Sequence, residues 1–204
     1  SATASGGPAS AAASAKNGGS TPGPTSPPVK YAKLPAPCKA VNAGTVAGLV
    51  PKAKNSAGKA AASSDPQARG TCSWTGNGAD GYQYRWLSVS LQRFGDDPHL
   101  GSAEDQARKR YAQQLQQLSA TPGFAAYPLT GLGDQANQAA GKQTLAKVTT
   151  QNDTVLVRSG NVVLLVEYNG AGLEGKKNPS AGAVQSGAQQ AAKDALKALA
   201  AANT

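Results

Sequence analysis

Five consecutive residues, Val162-Val163-Leu164-Leu165-Val166, are apolar on both parities of a β-strand. Successive side chains of a strand point to opposite faces of the sheet, so a run like this is satisfied only where both faces are covered. The stretch from Val162 to Tyr168 therefore predicts a central strand with a packed layer on each side. Leu145 to Thr150 and Thr154 to Arg158 read as two further strands, joined by turns at Asn152-Asp153 and Ser159-Gly160-Asn161, which makes the region a meander.

The rest of the chain supplies one more hairpin and the covering layers. Gly70 to Thr75 and Tyr82 to Phe94 are rich in aromatic and β-branched residues, and Gly76-Asn77-Gly78 with Asp80-Gly81 between them has the chemistry of a hairpin loop. Within the second strand Leu87, Val89 and Leu91 alternate with Ser88 and Ser90, while Tyr82, Tyr84 and Trp86 fall on the opposite parity. Either a bulge near Trp86 switches faces or both faces are covered there. Asn42 is placed to cap a short helix carrying Val46, Leu49 and Val50, stopped by Pro51. Ser102 followed by Asp105 opens a second helix, in which Ala107, Tyr111, Leu115 and Leu118 recur at helical spacing. A third, from about Ser180 to Ala201, carries Val184, Ala188, Ala191, Ala195 and Leu199 on one stripe and is small enough there to lie close against a sheet. Short hairpins require antiparallel neighbours. The expected fold is thus α+β, an antiparallel sheet of about five strands with flanking helices. No internal repeat is visible.

Cys38 and Cys72, the latter in Cys72-Ser73-Trp74, are the only cysteines among 204 residues. A pair bracketing the front of a folded domain reads as a disulfide, which persists outside the reducing cytosol; free buried thiols are the alternative. Two cysteines and the single histidine do not complete a standard zinc set, and their separation is not Cys-x-x-Cys spacing. Neither a metal nor a cofactor is expected.

Ahead of the domain, residues 1–36 form an Ala/Ser/Gly/Pro-rich leader with Lys16, Lys30 and Lys33 as its charges. So little apolar surface cannot offset the entropy of ordering it, so the segment is expected to be a disordered tether, or else a frayed end, with residues 37–204 as the single globular domain. No run of about 20 apolar residues offers a membrane span. The absence of methionine, an initiator included, reads as a chain that starts after a processing step, with an export signal removed. A lipobox cysteine would sit just before Ser1.

Candidates for chemistry are sparse. His99, in Asp96-Asp97-Pro98-His99, could bind a cation or serve in acid and base chemistry, but a loop ahead of a capped helix explains the same residues. No Gly-x-Ser-x-Gly elbow accompanies it. Gly131-Leu132-Gly133-Asp134-Gln135-Ala136 formally matches a phosphate fingerprint, with Asp153 about where a ribose-binding acid would fall. The strand and helix that such a motif needs on either side are not evident, and a tight turn feeding the meander is the better reading. Gly141-Lys142 lacks the remainder of a Walker loop. The aromatics Trp74, Tyr82, Tyr84 and Trp86 concentrate in one hairpin, which makes them the candidate ligand-binding residues, with core packing as the alternative.

The net charge of +9 comes from 20 basic and 11 acidic residues. Lys52, Lys54, Lys59 and Arg69 crowd one loop, and Arg108, Lys109 and Arg110 follow one another on a helix. Such a surface attracts anionic polymers, which outside a cell are wall polymers, anionic headgroups or extracellular DNA, and solubility alone also explains it. Its basic residues are not interleaved with stacking aromatics, so nucleic acid is not expected.

Pro37-Cys38, a short helix ending in Leu49-Val50, a variable loop, Cys72-Ser73-Trp74, Gly131-Leu132-Gly133-Asp134-Gln135-Ala136 and a strand like Val155 to Val166 stand here in one order. That order resembles the DUF3558 family of actinobacterial secreted lipoproteins across most of residues 34–204. The resemblance implies an exported, often lipid-anchored domain with one disulfide and no established catalytic activity. The expected function is a non-catalytic binding or sensing domain of the cell envelope, tethered to the outer face of the cytoplasmic membrane. The second reading is a wall-associated structural or interaction protein that binds anionic polymers through a basic face. In either case the membrane is reached only through an N-terminal anchor.

Overall fold

The computed structural model describes residues 28–77 and 81–204. After a single 3-10 turn at Pro37–Lys39, the elements are α1 (Ala43–Leu49), β1 (Lys52–Ala53), β2 (Lys59–Ala60), β3 (Arg69–Asn77) and β4 (Gln83–Arg93). They continue with α2 (Ala103–Ser119), β5 (Phe124–Pro128), β6 (Gln135–Leu145), β7 (Val148–Ser159), β8 (Val162–Gly172) and α3 (Ala181–Ala201). All pairings are antiparallel, in the order β1-β3-β4-β8-β7-β6-β5, with β2 also on β3. The fold is α+β as expected.

The expected count of about five strands is corrected to eight. Two of the additions, β1 and β2, are two-residue pairings of the Lys-bearing loop with the edge of β3, too short to leave a pattern in sequence. The others, β5 and β6, lie between the second helix and the meander, where the sequence predicts no strand. Ala, Gln, Asn and Gly have weak strand preference, and β6 is held in place by eleven paired residues of β7. The turn expected at Asn152-Asp153 is also absent, because β7 runs unbroken from Val148 to Ser159. The chain reverses instead at Ala146 and Lys147, which take positive φ of 48° and 68°, and pairing resumes at once with Leu145 opposite Val148. The reversal at Gly160-Asn161 agrees with expectation, Ser159 facing Val162.

The central strand is β8, and both its faces are covered. Leu164, Val166 and Tyr168 pack with Trp74, Leu87, Val89, Val155 and Val157 against α1 and α3, whereas Val163 and Leu165 pack with Leu156 against Ala107, Tyr111, Leu115 and Leu118 of α2. Pairing of β4 with β3 and β8 is continuous, so no bulge lies near Trp86 and its face is covered in part by α2. The helix starts are as the sequence requires: the side chains of Asn42, Ser102 and Ser180 accept from the backbone N–H of Gly44, Asp105 and Ala183.

Close approach of α3 depends on Gly187, where a Cβ would meet Leu49 Cδ2 and Tyr168 Cε1, each at 2.7 Å. Tyr168 is unable to swing aside, since its hydroxyl donates to Leu49 O at 2.7 Å and accepts from Arg85 Nη1 at 2.8 Å. Helix propensity favours Gly187→Ala by about 1 kcal/mol, but overpacking opposes it by about 1–3 kcal/mol. Gly187→Ala is therefore expected to lower stability, whereas Gly182→Ala, which meets nothing within 4 Å, is not. Urea unfolding of the two variants checks the contrast in sign.

Residues 1–27 of the expected tether, and Gly78 to Asp80 of the hairpin loop, lie outside the described residues. Residues 28–36 are bound to the domain. Tyr31 is buried; its N–H donates to Asn161 Oδ1 at 2.9 Å, its carbonyl accepts from Asn161 Nδ2 at 2.9 Å, and its hydroxyl meets Ser159 Oγ at 2.9 Å. Asn203 accepts from the N–H of Ala32 and Lys33, so this strap also fastens the end of α3.

Candidate functional site

The sheet face under α2 can be followed residue by residue, because directly paired residues of an antiparallel ladder share a face. One row across it is Thr75, Trp86, Asn169, Asn152, Gly141 and Phe124; the next is Ser73, Ser88, Glu167, Thr154, Ala139 and Ala126. The following row, which includes Leu165 and Leu156, lies beneath α2. Helix α2 ends at Ser119, before it covers the first two rows. The chain then turns through Thr121 into β5, and the uncovered corner becomes a cleft of about 240 Å³. Its floor carries Trp86, Glu167, Asn169, Asn152 and Thr154, and Leu118, Thr121 and Phe124 stand around it.

Glu167 is the chemically distinctive group of this cleft. Among the described residues its carboxylate has neither a hydrogen-bond donor nor an ion-pair partner, and burial pushes its pKa up. Among the described residues the side-chain amide of Asn169 is also unbonded, and Asn152 Nδ2 is held by Thr150 Oγ1 at 2.8 Å while its carbonyl oxygen meets no donor. The cleft thus joins an indole and a phenyl ring to several planar polar groups. Such a lining can bind a small polar molecule by contact and hydrogen bonding.

The four aromatic candidates do not converge. Trp86 lines the cleft, and Tyr84 shares its face two residues along β4, with its hydroxyl pKa raised by burial. Tyr82 lies outside the strand, exposed, with Lys176 Nζ 4.9 Å from its ring centre. Trp74 is on the other side of the sheet, 1% exposed, where its indole N–H donates to Ser56 O at 3.2 Å. There it borders a separate cavity of about 370 Å³ beside Cys38, Val46 and Val50. Glu167, Asn169 and Asn152 were not among the sequence candidates. The parity of β8 held the signal: Glu167 follows Val163 and Leu165 on one face, so a carboxylate is carried onto a packed side of the sheet.

Cys38 and Cys72 form a disulfide, with a Cα separation of 5.0 Å. His99 is exposed, in a tight turn where Asp97 Oδ1 accepts from the N–H of His99 and Leu100, and Asp96 Oδ1 accepts from Ala103 N–H at the entry to α2. No group of three or more His, Cys, Asp or Glu side chains converges among the described residues. The phosphate-like fingerprint is a turn followed by β6, not by a helix; Gly133 has φ 55°, and a Cβ there would lie 2.5 Å from Arg158 O. Its Asp134 Oδ2 accepts from Gly160 N–H at 2.6 Å and lies 3.5 Å from Arg158 Nη1. Asp153 is buried beneath α3, far from any ribose-binding arrangement: its Oδ1 accepts from Gln138 Nε2 at 2.6 Å, and Gln138 in turn accepts from Gln189 of α3.

The fold and cleft define an α+β domain with a disulfide-stapled antiparallel sheet and a small polar-aromatic site. Among solved structures the chain is similar to LpqN, a protein involved in cell envelope biogenesis of Mycobacterium tuberculosis. The two share 20% sequence identity over 65% of this chain and 72% of that one, with a TM-score of 0.28, too loose a likeness to carry a role across. No protein-family model matches the chain, and no curated protein matches it. Among the described residues no helix is long and apolar enough to cross a membrane.

Proposed function

We propose that this is a non-catalytic binding or sensing domain of the cell envelope, exported, held at the surface through its N-terminal segment, and engaging its ligand in the cleft at the end of α2. One observation carries the reading: a partly buried carboxylate, Glu167, unpartnered among the described residues, beside the partly buried indole of Trp86. A polar group kept in such surroundings without a partner costs stability, and a ligand that donates to it recovers that loss. The resemblance of the motif order to DUF3558 lipoproteins supports the envelope setting, as does the oxidised cysteine pair.

The lining favours a saccharide. Planar amide and carboxylate groups accept from and donate to vicinal hydroxyls, while the C–H face of a sugar ring rests on indole or phenyl. Titration of the whole chain with soluble saccharide fragments of bacterial cell walls, followed by tryptophan fluorescence and calorimetry, tests the proposal. Trp86→Ala and Glu167→Gln are each expected to weaken binding about tenfold or more, the size expected for losing a charged hydrogen bond or an aromatic contact. Undiminished affinity in both variants, with native melting curves, would dismiss the cleft as the site.

A further inference from the structure

The opposite flank of α2 faces β3 and β4 and contains a second groove, of about 240 Å³, lined by Arg69, Thr71, Ser90, Gln92, Arg110 and Gln114 over Val163 and Leu165. It brings together one member of each basic cluster in the sequence, Arg69 from the loop and Arg110 from the helix. Among the described residues no acidic side chain lines it. Neither arginine has an ion-pair partner among the described residues, although Arg108 two residues earlier is paired with both Glu104 and Asp105. Two polar atoms here are buried and unsatisfied: the donor Arg110 Nε and the acceptor Gln114 Oε1, four residues apart on one helix face. The hydroxyls of Thr71 and Ser90 bond to each other at 3.0 Å, which leaves one of their two protons for another acceptor.

We propose that this groove is a binding site for a phosphate ester that also bears a hydroxyl group, of the glycerol phosphate type. The guanidinium of Arg110, with Arg69 at the mouth, matches the phosphate oxygens in a planar fork. The buried carbonyl oxygen of Gln114 requires a donor, which a phosphate dianion lacks and an adjacent hydroxyl supplies. The proposal is independent of the saccharide cleft, which lies past the end of α2 and shares no lining residue with this groove. The same chemistry occurs in a wall polymer of polyol phosphate and in an anionic glycerophospholipid headgroup.

The test uses the whole chain and calorimetric or NMR titration with sn-glycerol 3-phosphate, inorganic phosphate and glycerol. Glycerol 3-phosphate is expected to bind best and glycerol not at all. Arg110→Met should weaken binding of glycerol 3-phosphate at least tenfold, and Gln114→Leu should abolish its advantage over inorganic phosphate. Trp86→Ala should leave both unchanged. Lys109→Met, which removes a neighbouring exposed charge, separates a built site from general attraction: a loss as large as that of Arg110→Met overturns the proposal, as does equal binding of phosphate and glycerol 3-phosphate. Soluble poly(glycerol phosphate) and phosphatidylglycerol vesicles, each with the wild type and Arg110→Met, assign the source by which of them loses binding in the variant.

Discussion

Replacing both cysteines by alanine, or reducing the Cys38–Cys72 disulfide, is expected to lower the unfolding free energy by about 4 kcal/mol, the chain-entropy value for a loop of this length, 34 residues of separation. That is a large share of what holds a domain of this size together. Two structural details direct most of the effect to the front of the sheet. Cys72 lies in β3, fully buried against Trp74, and Cys38 belongs to the 3-10 turn that precedes α1, an element with few other anchors. The loop before β2 closes over the bond, so closely that a Cβ at Gly58 would lie 2.4 Å from Cys72 Sγ. Urea unfolding followed by tryptophan fluorescence, with and without reductant, measures the loss; an unchanged midpoint in the double alanine variant would show that the staple contributes nothing to stability.

The second large effect is a dependence of stability on pH centred on Asp153. Burial raises its pKa to about 7 against an ordinary 3.8, opposed only by the hydrogen bond from Gln138, and its Oδ2 has no partner among the described residues. The folded chain then holds this proton more tightly than the unfolded chain. Between about pH 4 and pH 7 the folded state binds more protons, so stability falls as pH rises through that window and stays low above it. The rise from 3.8 to about 7 corresponds to about 4 kcal/mol at the upper limit. Glu167, also raised by burial, adds in the same direction. Asp153→Asn keeps an acceptor for Gln138 and removes the ionisation. It is expected to match the wild type near pH 4 and exceed it clearly at pH 8. Parallel stability curves for the two proteins across this range would refute the assignment.

Asp153 and Glu167 both lie where the sequence was not readable; other elements were readable. The central strand was visible in Val162 to Val166, since apolar side chains on both parities leave no other place in a sheet. Helix starts were visible in Asn42, Ser102 and Ser180, which act locally through one hydrogen bond each. Strand β6 was not, because Gln-Ala-Asn-Gln-Ala-Ala-Gly has no strand preference of its own and takes its conformation from β7. Asn152-Asp153 resembled a turn for the same reason that they are unusual in a strand: their polar side chains favour local bonds, and Asn152 does bond Thr150, whereas Asp153 is explained by its long-range partner Gln138. The cleft was half legible. The concentration of aromatics in one hairpin drew attention to Trp86, but Glu167 becomes meaningful only once β8 is aligned beside it.

The strap at Tyr31 governs how the domain would respond to being pulled. Tension arriving along the backbone from the N-terminal side first meets the Asn161 and Ser159 contacts and the Asn203 link to α3, which are hydrogen bonds and can peel one after another. Beyond them the covalent bond at Cys38 passes the load directly into β3, so the 33 positions between the cysteines are spared extension. The molecule would therefore yield over a few residues and then stiffen, a shock absorber with a fixed stop.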